Sequence, residues 1–168
     1  MELLIPGLAL VALMVWASTR IKRTAADAFA PETVETAEFS IKKPEGWLSI
    51  AVPKLPFEAY TKDYAPPPNE EIRLGTASVE VSKDGPDKAA AAAVDGANIV
   101  DELREKVGDV HYRVFTLNRS KDDLELLELV KLAEQNGKVY TFRIKSLAEP
   151  AADFRRDMEG MLDSFELK

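Results

Sequence analysis

Leu124-Glu125-Leu126-Leu127-Glu128-Leu129-Val130-Lys131-Leu132, then Gln135-Asn136-Gly137, then Val139-Tyr140-Thr141-Phe142-Arg143-Ile144: the fold turns on how this stretch is read. The first part is rich in good helix formers. The last alternates β-branched and aromatic residues with polar ones, the period of a half-buried strand. Hairpin geometry decides between them. A three-residue loop with Gly137 in the left-handed region would pair Leu132 with Tyr140 and Val130 with Phe142 on one face, so the leucine-rich segment is read as a strand.

Working outward, Val110, Tyr112 and Val114 alternate, and Asn118 to Asp123 supply the next turn, which predicts a meander of three strands. Further upstream, Ile72 to Ser82 alternates with Val79 and Val81 on one face and stops at Asp84-Gly85. There the period changes. Pro86 suits a first helical position, Asp87 complements the helix dipole, and Ala90, Ala93, Val94, Ala97, Val100, Leu103 and Val107 recur at three- and four-residue spacing. A helix from Pro86 to Val107 is expected, capped by Gly108, its alanines letting it lie close to a sheet.

At the start of this region, Phe39 and Ile41 followed by Lys43-Pro44-Glu45-Gly46-Trp47 read as a strand and its exit, and Leu48 to Val52 as a second short strand. Pro53, Pro56 and the Pro66-Pro67-Pro68 run mark an irregular segment. After Pro150, Phe154, Met158, Met161 and Leu162 predict an amphipathic helix, and Ser164 to Leu167 a closing edge strand. The expected class is α+β: an antiparallel sheet with two packed helices, preceded by an N-terminal transmembrane helix.

That helix is expected from Leu3 to Thr19, which carry no charge. Seventeen residues at the helical rise span roughly 25 Å, the short end of what crosses a hydrocarbon core. Arg20, Lys22 and Arg23 follow at once, and cations just past a span are retained in the cytoplasm. The expected topology is N-terminus out and C-terminal domain cytoplasmic, at the inner membrane. A cleaved signal is the competing reading, because Ala28, Phe29 and Ala30 imitate a small-x-small site, and it would make the domain periplasmic. The chain thus divides into an anchor at 1–19, a basic juxtamembrane segment and stalk at 20–38, and one folded domain at 39–168.

Phe39 to Trp47, the Asn136-Gly137-Lys138-Val139-Tyr140-Thr141-Phe142 stretch, and a helix ending in Met161-Leu162-Asp163-Ser164-Phe165 resemble the PsbP-like fold family. That family includes an extrinsic accessory protein of photosystem II, bacterial lipoproteins and a nuclear transport factor that binds the Ran GTPase. The resemblance covers residues 39–168 and implies a non-enzymatic docking or accessory domain. No metal or partner site of the family maps residue by residue onto this chain. The membrane anchor, with charges that place the domain in the cytoplasm, departs from photosynthetic relatives that work in the lumen.

Charge and composition narrow the functions further. Setting aside Glu2, Arg20, Lys22 and Arg23 removes one negative and three positive charges from a formal −7, leaving about −9. Such a body repels phosphate backbones, and no basic stripe with interleaved aromatics offsets it, so nucleic acid is not an expected partner. The chain has no cysteine, which excludes disulfides, thiolate metal sites and thiol catalysis. His111 is the one histidine and reads as a solvent-facing strand residue without an assignable catalytic partner. The acidic pairs Asp122-Asp123 and Glu70-Glu71 lack the ligand count of a calcium loop.

No cofactor, metal or catalytic residue is therefore expected. Trp47, Phe57, Tyr60 and Tyr64 are the candidate docking surface, with burial over the core as the competing reading. The expected partners are the bilayer and another membrane protein or complex. The alternative is a membrane-tethered small-molecule or lipid-binding domain, with its pocket between the sheet and the Pro86 to Val107 helix.

Overall fold

The computed structural model describes residues 26–168, so the apolar run, Arg20, Lys22 and Arg23 lie outside the described residues. Asn136 and Gly137 both take positive φ, 54° and 71°, and form a two-residue turn. It joins strands Leu124–Gln135 and Lys138–Leu147, with Gln135 opposite Lys138. The hairpin is as expected, but its register is shifted by one. Leu132 faces Thr141 rather than Tyr140, and Val130 faces Arg143 rather than Phe142. The turn has two residues because Asn tolerates the left-handed region beside Gly, and a one-residue shift reassigns every side chain's face.

In chain order the strands are β1 Glu32–Glu35, β2 Phe39–Lys43, β3 Trp47–Val52, β4 Leu55–Thr61, β5 Gly75–Ser82, β6 Asn98–Val107, β7 Val110–Lys121, β8 Leu124–Gln135, β9 Lys138–Leu147 and β10 Glu166–Leu167. Helix α1 spans Pro86–Val94 between β5 and β6, and α2 spans Ala152–Asp163 before β10. A seven-stranded antiparallel sheet runs β3-β4-β5-β9-β8-β7-β6, and a small sheet runs β1-β2-β10. Among the described residues no helix is long and apolar enough to cross a membrane.

One face of the large sheet packs on α2 and the small sheet. Leu129, Ala133, Phe142, Ile144, Phe57 and Val79 meet Met158, Met161 and Leu162 of α2, and Phe39 and Ile41 of β2. Phe165, just after α2, lies 5.2 Å from the ring of Phe142 and 5.8 Å from that of Phe39. It thereby ties both sheets together. Lys43 is buried where they meet, and its Nζ donates to the carbonyls of Ala30 at 2.7 Å and Trp47 at 2.6 Å. Burial pulls its pKa down, opposed by the Glu32 carboxylate.

Besides the register, the structure corrects three expectations. The helix from Pro86 stops at Val94, because Gly96 takes φ +67° and the chain returns as β6 against β7 through Gly108, φ +60°. The Val100, Leu103 and Val107 stripe therefore lies exposed on an edge strand. The segment after Pro53 is less irregular than expected, since Pro53-Lys54 is a tight turn into β4. There Phe57, Ala59 and Thr61 alternate inward. Finally, Glu32–Glu35, read as stalk, pairs with β2 as β1.

Candidate functional site

Alternation assigns the four candidate aromatics to different sides. Trp47 and Phe57 sit on the α2 face of β3 and β4, 1% and 4% exposed, so they are core and not docking surface. Trp47 stacks on Phe154 of α2 at 6.0 Å and 7° between planes, and Phe57 meets Phe142 edge-on at 6.1 Å. Gly75 makes that stack possible. A Cβ there would lie 2.7 Å from Phe154 Cζ and 2.9 Å from Trp47 Cη2.

Tyr60 points to the opposite face, and Tyr64 follows β4 in an excursion closed by a bridge to Arg73. The guanidinium of Arg73 lies 4.1 Å from the Tyr64 ring centroid and 4.6 Å from that of Tyr60. Its Nη1 donates to the carbonyls of Lys62 at 3.0 Å and Thr61 at 3.3 Å, so the stacked cation is held rigidly. Tyr64 is 49% exposed. Arg73 escaped the sequence reading because eight residues separate it from Tyr64, and only the excursion brings them together. Pro66-Pro67-Pro68 forms the tip of this excursion. Asn69 N–H donates to Pro66 O there, a turn and not the unbonded polyproline helix that an aromatic groove would take.

On this second face α1 lays Ala90 and Ala93 over Phe115, Leu117, Val130, Leu132 and Val139. Nine helical residues make about 14 Å, while the twelve-residue β8 beneath runs roughly 40 Å. The face therefore stays open beyond both ends of the helix. At its C-terminal end, Glu128 is 1% exposed between Arg143 Nη1 at 2.5 Å and Arg119 Nε at 3.1 Å. The same guanidiniums donate to helix-terminal carbonyls: Arg119 to Asp95 O at 2.5 Å and Ala93 O at 3.3 Å, and Arg143 to Ala93 O at 3.3 Å. One buried carboxylate thus orients the cations that cap α1.

Beyond Glu128 lies a cleft of about 310 Å³ with Ile72, Leu124, Leu126 and Leu147 in its lining. Arg73, Lys121 and Lys145 also line it, against the single acid Asp122. Past the other end of α1, a cleft of about 670 Å³ is lined by three cations, Arg104, Lys106 and Arg113, and four acids, Asp87, Glu105, Asp109 and Glu134. His111 lines that second cleft, exposed and without a side-chain hydrogen bond among the described residues. Among the described residues it has no orienting partner of the kind a general base uses. No group of three metal-ligating side chains gathers among the described residues.

No family model and no curated protein matches the chain. Solved structures do. The solution structure of cyanobacterial PsbP (CyanoP) from Synechocystis sp. PCC 6803 superposes with a TM-score of 0.58 at 14% identity, over 83% of this chain and 94% of that one. LpqN, involved in cell envelope biogenesis of Mycobacterium tuberculosis, superposes with a TM-score of 0.59 at 11% identity, over 83% and 91%. The chain has the PsbP-like fold, as the resemblance in the sequence implied.

Proposed function

We propose that this protein is a non-enzymatic, single-pass membrane-anchored accessory or docking subunit of a larger bacterial membrane complex. Its PsbP-like domain is held at the cytoplasmic face of the inner membrane by the helix expected at residues 1–19, with Arg20, Lys22 and Arg23 as the retained charges. The observation that carries the docking role is the Tyr60–Arg73–Tyr64 stack. Tyr and Arg are the side chains most enriched among residues that dominate binding energy, and here they are already rigid and partly desolvated. Trp47 and Phe57, sequestered in the core, take no part.

The test places a photo-crosslinking amino acid at position 64 of the full chain, and a control at exposed Lys54, in native membranes. A discrete adduct from position 64, lost when Arg73→Ala is added and absent from position 54, supports docking. Equal labelling at both positions, or none at 64, refutes it. A tethered ligand-binding role is the second reading, favoured by the 310 Å³ cleft beside Arg73 rather than by a pocket under the long helix expected from the sequence.

A further inference from the structure

The cleft beyond Glu128 combines an apolar floor with a local excess of cations. Its floor comes from side chains on the open face of β8 and β9: Leu126 pairs with Leu147, and Leu124 with Lys121. The leucines are only partly covered, because α1 ends before reaching them. Three cations stand around that floor. Lys145 reaches a carboxylate only at 3.9 Å, the already doubly paired Glu128. Neither Arg73 nor Lys121 forms an ion pair among the described residues. In a chain of formal charge −7, three cations to one acid around an apolar floor is a local reversal of sign.

We propose that this cleft binds a free single-chain amphiphile with an anionic head, a fatty-acid-like carboxylate. The leucines and Ile72 take the tail, and Lys121, Lys145 and Arg73 take the head. Size sets the tail. A volume of about 310 Å³ is at the low end for ligand pockets and holds about ten water-sized groups, which matches a single chain of about eight to ten carbons. Charge sets the head. A carboxylate accepts from ammonium and guanidinium groups together, and the apolar floor lowers the local dielectric that would otherwise screen them. The assignment rests on the ligand-binding reading and shares Arg73 with the docking stack, so its variants are placed at Lys121 and Leu126, away from that stack.

The experiment uses the full chain, isotopically labelled, in nanodiscs of zwitterionic lipid. Sodium decanoate, decanol and inorganic phosphate are titrated separately while amide shifts are followed. Decanoate is expected to shift the amides of residues 124–126 and 145–147 saturably. Decanol should bind at least tenfold more weakly, and phosphate should produce no saturable shift. Lys121→Ala, an exposed change that leaves the core intact, should weaken decanoate about fivefold, and Leu126→Glu should abolish its binding. Raising ionic strength should weaken decanoate and leave decanol unmoved. Equal binding of decanol and decanoate would keep a pocket but overturn the anionic assignment. No saturable shift at these residues, or shifts that arise only when anionic phospholipid is added to the nanodisc, would overturn the proposal itself. None of these outcomes bears on the cross-link at position 64.

Discussion

Glu128 is where the second face can be made to fail selectively. Glu128→Gln keeps the shape and one acceptor oxygen but removes the charge that Arg119 and Arg143 share at 3.1 and 2.5 Å. A hydrogen bond to a charged group contributes ~1.5–3 kcal/mol, and stripping one partner from a buried ion pair costs ~3–5 kcal/mol. The two arginine side chains retain 20% and 15% exposure, so water hydrates part of the orphaned charge. The expected loss is therefore ~2–3 kcal/mol for Gln and ~3–5 kcal/mol for Glu128→Ala. Urea unfolding of the full chain in mild detergent, followed by far-ultraviolet circular dichroism, should show the midpoint for Gln falling by about 1–2 M with unchanged slope. Hydrogen exchange should localise part of the effect. With their guanidinium donors no longer oriented, the carbonyls of Ala93 and Asp95 lose their caps, and amides of α1 should exchange faster than those of α2. The companion chain Glu128→Leu, Arg119→Met, Arg143→Met should recover most of the global stability without restoring α1 protection. A Glu128→Gln midpoint within about 0.2 M of the parent, with α1 protection unchanged, would refute the claim that this carboxylate organises the face.

Two further outcomes follow from the packing and the surface charges. Gly75→Ala drives a methyl into the Trp47–Phe154 stack from 2.7 and 2.9 Å, so a loss of ~1–3 kcal/mol is expected; calorimetry showing no drop in Tm would mean the rings yield freely. Glu38 and Lys138 pair at 2.6 Å on the surface. The Lys138 hydrogen bond, then that of Tyr140, holds the Glu38 carboxyl below its ordinary value, and Glu38 in turn raises Lys138. Glu38's contribution is therefore complete above its unfolded value of ~4.3 and is lost as pH falls through the lower folded value, while that of Lys138 is lost only as pH rises beyond ~10.4. At low ionic strength Lys138→Met should flatten the decline of stability between about pH 5 and pH 3, and superimposable profiles would show that the pair contributes nothing.

The resemblance to the PsbP-like fold, the β7-β8-β9 meander, α2 and the closing strand were all legible in the sequence, because each rests on a local signal. Alternation marks the strands, Asn136-Gly137 marks the turn, and Phe154, Met158, Met161 and Leu162 mark a helix face that needs a sheet to cover it. The extent of α1 was not legible in the same way. Ala97, Val100, Leu103 and Val107 satisfy a helical period, yet Asp95-Gly96 breaks the chain and β7 offers β6 a full ladder of backbone partners. Periodicity counts side chains and is blind to that competition. The same limit applies to the site. Trp47, Phe57, Tyr60 and Tyr64 look alike as aromatics in a proline-rich stretch, but strand alternation buries the first two, while the outward face of Tyr60 and the excursion carrying Tyr64 let the others clamp Arg73. The cleft draws on β5, β7, β8, β9 and the loop carrying Ile72, and it exists because α1 stops short of them. Sequence thus determined the meander, the helix after Pro150 and the closing strand, whose signals are local. Tertiary structure decided which face each residue occupies and where the face stays open, because register and helix length are settled by contacts between segments far apart in the chain.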